Sequence, residues 1–325
     1  MPGINASGEK RLVLVSGRAH PQLALDIAKE LGTELVHTDA RTFANGEIYA
    51  RFDESVRGSD TFVIQSHTNP INEWLMEQLI MVDALKRASA KRITVVAPFY
   101  PYARQDKKGR GREPVSARLI ADLFKVAGAD RIMSIDLHAA QIQGFFDGPV
   151  DHLFAMPVLL EHFQEKLDPA TLTVVSPDMG RVRVADIWSD KLGAPLAIIH
   201  KRRDPLVPNR VSVHEIVGQV SGRVCLLVDD MIDTGRTIVL AAEALRAAGA
   251  IGVVVAATHA VFSHPALELL QNPAITEVVV TDTLPIPPEK RFPTLTVLPI
   301  APLLARAIHE VFDEGSVTSM FEGAA

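Results

Sequence analysis

Cysteine is nearly absent from this 325-residue chain. The single Cys225 excludes a disulfide framework, a CxxC redox pair and a cysteine-based zinc site. It lies in the apolar run 224–228, where an inert buried thiol in a reducing compartment is expected. An excess of basic charge is also missing. Lys and Arg number 33 against 39 Asp and Glu, giving a net charge of −6 and a pI near 6.0. That balance argues against a nucleic-acid partner held by bulk charge. Long apolar runs are lacking too. The most apolar stretch, residues 251–262, is interrupted by Gly252, Thr258 and His259, and it falls well short of the roughly 20 residues that span a bilayer. The opening MPGINASGEKR has neither the apolar core of a signal peptide nor the Arg/Ser-rich character of a transit peptide. The expectation is a cytoplasmic protein with no membrane partner. No GxxxxGK[ST] string occurs, so any nucleoside triphosphate must be held by something other than a P-loop.

What is present reads as an ordinary globular α/β chain. Apolar residues make up 47% and charged residues 22%, and the length suits two domains or one large α/β unit. Short apolar strands are predicted at residues 12–15, 61–64, 93–97, 131–137, 173–175, 196–199, 224–228, 253–257, 277–280 and 294–298, with amphipathic helices between them. In the first helix Leu23, Ile27 and Leu31 share a face, and Gly32 ends it. Most of the strands are too uniformly apolar to be half exposed, so they fit parallel strands covered on both faces. An internal repeat sharpens the picture. The stretch around Ser16 resembles that around Ser176, and ALKRASAKRITVVA from Ala84 resembles ALRAAGAIGVVVAA from Ala244, both at an offset of 160 residues. Two blocks at one offset indicate a duplicated unit. The expected division is residues 1–155 and 156–301, with the tail 302–325 packing back on the first half.

The sharpest local feature is RVCLLVDDMIDTGRT from Arg223. A buried strand is expected to end in Asp229 and Asp230. The short loop Asp233, Thr234, Gly235, Arg236, Thr237 follows, then a helix whose apolar face carries Ile238, Ala241, Ala242 and Leu245. Such a turn offers unpaired backbone N–H groups at a helix N-terminus, a natural seat for phosphate, with Gly235 permitting close approach. Two adjacent carboxylates are costly to bury and suit the vicinal hydroxyls of a sugar. A plain βα loop capped by Asp233 is the competing reading.

Other stretches carry charge at strand ends. YARQDKKGRGR from Tyr102 packs cations and glycines after the strand 93–97, where α/β sheets place ligands; it suits a polyphosphate, while a solvated loop is the alternative. In RIMSIDLHA, strand alternation puts Asp136 and His138 on one face, and Asp178 closes another strand. A His beside a carboxylate is an uncommon but workable Mg²⁺ site when substrate phosphates complete it. Lys201, Arg202 and Arg203, just past a strand and followed by Pro205 and Pro208, have the look of a mobile arm that closes over an anion.

The Asp229–Thr237 string resembles the PRPP-binding loop of type I phosphoribosyltransferase folds; the matching place in the first half, QSHTNPINEW, lacks its acids and glycine. Along nearly the whole chain, FANGE, YARQDKK, SIDLHAAQIQGFFD, SPDMG, HKRRDP, VDDMIDTG and DTLPI occur in the order shown by the ribose-phosphate pyrophosphokinase family. The resemblance implies an α/β fold of two duplicated phosphoribosyltransferase-like domains, each a mostly parallel sheet flanked by helices. It implies transfer of the β,γ-diphosphoryl group of Mg-ATP to ribose 5-phosphate, giving PRPP and AMP for nucleotide, histidine and tryptophan biosynthesis. By matching motif, Phe43, Asn45, Gly46, Glu47, Arg104 and Gln105 would bind ATP, with the base between Phe43 and Arg104. His138 and Asp178 would be the Mg²⁺ positions, Asp229, Asp230 and the loop from Asp233 to Thr237 the ribose 5-phosphate site, and Lys201 and Arg203 the catalytic arm. The family further implies a homo-oligomer, commonly a hexamer, activated by inorganic phosphate and inhibited by ADP through Ser55, Arg57, Lys108, Arg112, Ser316 and Thr318. Arg236 and Arg181 stand where that family more often has glycine. Two rivals share these features in part: a non-catalytic regulatory homologue and a PRPP-consuming phosphoribosyltransferase.

Overall fold

The computed structural model describes residues 10–203 and 211–321. It divides into two compact units, Met1–Leu153 with Ala301–Met320, and Phe154–Ile300 with Phe321–Ala325. In chain order the first contains β1 (Leu12–Ser16), α1 (Pro21–Glu30), β2 (Thr38–Thr42), β3 (Ile48–Phe52), β4 (Asp60–Ile64), α2 (Ile71–Arg87), β5 (Arg92–Val96), α3 (Ser116–Ala127), β6 (Arg131–Ile135) and β7 (Val150–Leu153). The second contains α4 (Met156–Lys166), β8 (Leu172–Ser176), α5 (Val182–Leu192), β9 (Leu196–Arg203), β10 (Val211–Val217), β11 (Val224–Ile232), α6 (Arg236–Ala247), β12 (Gly252–Ala260), α7 (Ala266–Leu269), β13 (Glu277–Thr281) and β14 (Leu295–Leu298). The helix α8 (Ala301–Phe312) returns to the first unit and packs on α1.

The first sheet has the order β1-β4-β5-β6-β7, every pair parallel. Its central strands are buried because helices cover them. Met81, Val82 and Leu85 of α2 and Ile120, Ala121 and Phe124 of α3 close one core with Val13, Val15, Val63 and Val95. Full burial of a ring such as Phe124 stabilises by about 1.5–3 kcal/mol. α1 buries Leu23 and Ile27, and it ends where Gly32 takes φ +63° just past Leu31, a left-handed conformation that glycine adopts without steric cost. β2 and β3 form a separate antiparallel hairpin that packs on α2.

The second sheet has the order β10-β9-β8-β11-β12-β13-β14 and repeats the first: β8-β11-β12-β13-β14 is again parallel. β1 ends at Ser16 and β8 at Ser176, at the offset the internal repeat predicts. The hairpin β9–β10 occupies the chain position of β2–β3, but here it joins the sheet through β8. β12 is buried along its whole length, as its sequence GVVVAATHA requires.

Several expectations need correction. Asp229 and Asp230 do not end their strand: β11 runs on to Ile232 because its ladder with β12 continues to Ala260. β6 stops at Ile135, and Asp136 has φ +39°, so strand alternation does not extend to Asp136 and His138. Lys201 and Arg203 lie within β9, their backbones paired with His214 and Val211 of β10, rather than past its end. Pro205 and Pro208 fall outside the described residues.

Candidate active site

In the second unit the chain builds outward from β8 to β9 and β10, then returns to β8's other side with β11 and continues to β14. The reversal between β8 and β11 makes a topological switch point, and open α/β sheets bind ligands at the carboxyl ends of such strands. The β8–β11 ladder stops at Val175 opposite Leu227. Beyond it, one side of β11 is open at Asp229 and Asp230, and Asp178 follows β8 directly.

The groups at this crevice are held tightly. Asp178 opens the short 3₁₀ turn Met179–Arg181; its Oδ1 accepts from Gly180 N at 2.8 Å, and its carbonyl accepts from Ser176 Oγ at 2.7 Å. Arg181, ending that turn, reaches both acids: its Nε is 3.4 Å from Asp229 Oδ1 and its Nη2 pairs with Asp230 Oδ2. Asp229 Oδ1 also accepts from Asp230 N at 2.9 Å. Burial, first, the neighbouring Asp230 charge, second, and a side-chain hydrogen bond to Asp230, third, push the Asp229 carboxyl well above the ordinary range; Arg181 and the Asp230 amide offset this only in part.

The loop after β11 is anchored at its start, where Phe262 N donates to Ile232 O and Ser263 N to Asp233 O, both at 3.0 Å. Asp233 and Thr234 are half buried, and Gly235 is buried with φ +75°. A side chain there would be strained by its backbone conformation. Gly235 is the N-cap of α6 and supplies no side-chain oxygen to the first turn, whose amides have no acceptor within the helix itself. Arg236 and Thr237 open the helix and are exposed.

In the first unit the residues of FANGE form the turn between β2 and β3. Phe43 N donates to Glu47 O at 2.7 Å, Gly46 N donates to Phe43 O at 2.8 Å, and Glu47 N donates to Asn45 Oδ1 at 3.2 Å. Phe43, Asn45, Gly46 and Glu47 are all exposed. Arg104 and Gln105 sit in the turn after β5, also exposed; Gln105 is fixed by Ser116 Oγ at 2.7 Å. Downstream, Glu113 Oε2 accepts from Gly109 N and Arg110 N at 2.7 and 2.8 Å, holding the basic loop while Lys107, Lys108, Arg110 and Arg112 stay in solvent. His138 is half buried in the bend after β6. Ser55, Arg57, Lys108, Arg112, Ser316 and Thr318 are all exposed, and all belong to this unit.

The comparisons with known proteins agree on one family. The N-terminal domain of ribose phosphate pyrophosphokinase matches residues 12–128, and the phosphoribosyl synthetase-associated domain matches residues 205–322. The ribose-phosphate pyrophosphokinase of Streptomyces avermitilis is 64% identical over 322 residues, covering 99% of both chains. That of Mycobacterium tuberculosis strain H37Rv is 61% identical over 317 residues, covering 97% of both. The chain belongs to the ribose-phosphate pyrophosphokinase family. The crystal structure of phosphoribosylpyrophosphate synthetase from Mycobacterium smegmatis is 59% identical, with a TM-score of 0.88 over 94% of this chain and all of that one. The two phosphoribosyltransferase-like domains follow from that likeness together with the repeated strand order.

Against this family identity, two features were not visible in the motifs. One is the cation on the acid pair: Arg181 stands out in sequence only as an arginine where glycine is commoner, with nothing to name its partners. The other is Arg41, whose guanidinium lies 4.6 Å from the Tyr49 ring centroid and 5.8 Å from that of Phe43. The alternation of Arg41, Phe43 and Tyr49 about a short turn was the available signal. Cys225 is buried as expected, and burial pushes its thiol up to about 11. Among the described residues no helix is long and apolar enough to cross a membrane.

Proposed function

We propose that the chain is a ribose-phosphate diphosphokinase, making PRPP and AMP from ATP and ribose 5-phosphate. The observation that carries this reading is identity above 60% along nearly the full length of proteins named for that activity. The acid pair and anion loop at the β8–β11 switch point support it. In this reading Asp229 and Asp230 accept hydrogen bonds from the ribose hydroxyls, and the amides and side chains of Asp233, Thr234, Gly235, Arg236 and Thr237 hold the 5-phosphate. Phe43, Asn45, Gly46, Glu47, Arg104 and Gln105 bind ATP, with the adenine against Phe43.

The C1 hydroxyl oxygen attacks the β-phosphorus in line. The bond from that phosphorus to the α,β-bridging oxygen breaks with its electron pair remaining on AMP, and the hydroxyl proton leaves to solvent. Catalysis of such a transfer rests on positioning and on cations placed where charge builds. Lys201 and Arg203 supply those cations, and no protein nucleophile takes part.

His138 and Asp178 are the residues that would hold Mg²⁺, which would supply charge neutralisation at the ATP phosphates. Among the described residues no three His, Cys, Asp or Glu side chains gather as a dedicated cage. Mg²⁺ keeps several waters and is commonly held by one or two protein groups plus substrate phosphates. We read the assembly as a homo-oligomer, a hexamer, and inorganic phosphate as an activator at Ser55, Arg57, Lys108, Arg112, Ser316 and Thr318. The exposed hydroxyls and cations of that set support an anion there.

The test is AMP release from ATP and Mg²⁺, with and without ribose 5-phosphate, while phosphate is titrated. AMP that appears only with ribose 5-phosphate and is matched by equimolar PRPP supports the reading. No AMP from folded protein that still binds ATP would instead favour a regulatory homologue.

A further inference from the structure

Neighbouring residues of a strand point to opposite faces, so Asp229 and Asp230 have no intrinsic reason to present their carboxylates together. Both side chains are largely withdrawn from water, 19% and 7% exposed, and they carry like charge. Repulsion and desolvation therefore both oppose an aligned, ionised pair. One side chain offsets the last two in part and bridges the pair. Arg181 approaches β11 along the edge that β8 leaves open beyond Val175, and from there its guanidinium touches a carboxylate oxygen of each acid. Its own side chain is only 15% exposed. A planar fork with several fixed donors can span two acids in this way, whereas an ammonium is a single point. The turn that delivers it is stiffened by the Asp178 cap on Gly180 N.

We propose that Arg181 is a positioning residue for ribose 5-phosphate: it holds Asp229 and Asp230 as a preformed double acceptor for the vicinal hydroxyls of the sugar. The inference rests on the reading of this crevice as the ribose 5-phosphate site. Arg181 stays on the acids when substrate binds, because stripping a cation from a buried acid pair is strongly unfavourable.

The experiment compares wild-type enzyme with Arg181→Met and Arg181→Lys. Ribose 5-phosphate binding is measured by calorimetry, KM and kcat by initial rates, and folding by thermal melting. Arg181→Met is expected to raise both Kd and KM for ribose 5-phosphate by about tenfold or more, the scale of lost charge-assisted hydrogen bonds. KM for ATP and kcat at saturating sugar phosphate should stay within about threefold. Arg181→Lys restores the charge but not the fork, and its Kd should fall between the other two. Unchanged or tighter ribose 5-phosphate binding in either folded variant overturns the proposal, and tighter binding would mark Arg181 as a competitor of the sugar. If Arg181→Met does not fold, the Lys variant decides: a raised Kd with ATP binding retained supports the role, and an unchanged Kd refutes it. Failure of the activity reading shows separately, as wild-type protein that forms no PRPP.

Discussion

Phe43 and Tyr49 stand edge to face at the β2–β3 turn, their ring centroids 6.1 Å apart and their planes at 64°. Arg41, paired across the hairpin with Tyr49, lies over both rings. Edge-to-face contact and a cation over the ring each add of order 1 kcal/mol to a pair, so this turn presents a stiff aromatic platform. Phe43 nevertheless remains 45% exposed. An aromatic ring fixed by its neighbours yet open to solvent is ready to take a planar ligand.

Phe43→Ala should therefore act on ATP alone. Stacking of a base on an aromatic side chain is worth about 1–3 kcal/mol, so KM for ATP should rise at least about fivefold, with KM for ribose 5-phosphate unchanged within about twofold. Because the ring is exposed, thermal stability should shift little. Initial rates with each substrate varied in turn will check this; an unaltered KM for ATP removes Phe43 from the base site.

The same hairpin shows where the sequence was silent. β12 was legible because GVVVAATHA is buried throughout and carries its apolar run openly. TDART and IYARF, the strands on either side of Phe43, are half exposed along most of their length and have no such run; their pairing is a tertiary fact, supported by α2 beneath. β7 and β10 escaped for the same reason, with VDHL and VSVHEIV mixing charge into short strands. At the site, chemistry was more legible than geometry. Two adjacent acids and a glycine loop marked the place proposed for the sugar phosphate, but the length of β11 depended on how far β12 would accompany it, and the partners of Arg181 depended on β8 stopping early. Neither is encoded locally.

Lys201 lies in β9 with its backbone paired to His214, near the strand's end at Arg203. If its ammonium meets charge that develops only as the diphosphoryl group transfers, its loss should fall on kcat. Lys201→Ala is expected to lower turnover by two or more orders of magnitude, about 3 kcal/mol or more, with much smaller changes in either KM. Pre-steady-state and steady-state rates at saturating substrates measure it. Turnover within about threefold of wild type would take Lys201 out of the mechanism.

Arg236 follows the left-handed Gly235 as the first residue of α6, and its exposed side chain stands beside the amides proposed to hold the 5-phosphate. Arg236→Gly should weaken ribose 5-phosphate by about tenfold, the scale of one charge-assisted hydrogen bond, and leave ATP nearly untouched. The new glycine also costs the helix up to about 1 kcal/mol, so melting is recorded alongside the rates. Equal shifts in both KM values would place Arg236 outside the cradle.

His67 ties pH to the stability of the first unit. It is fully buried after β4, its Nδ1–H donating to Phe99 O at 3.2 Å. Burial pushes its pKa from the usual 6.5 down to about 4, despite that hydrogen bond. The unfolded chain therefore takes up this proton first as pH falls. The neutral imidazole's contribution is fully present above pH 6.5 and is lost progressively between about 6.5 and 4. Over that window the loss is on the order of 3 kcal/mol. His67→Asn removes the titration while keeping an N–H donor near the position of Nδ1. Denaturant unfolding at pH 7 and pH 4.5 should show wild-type stability falling by about 2–3 kcal/mol more than that of the variant, since the other titrating groups are common to both. Equal losses in the two proteins would mean that His67 is protonated in the folded chain as readily as in the unfolded one.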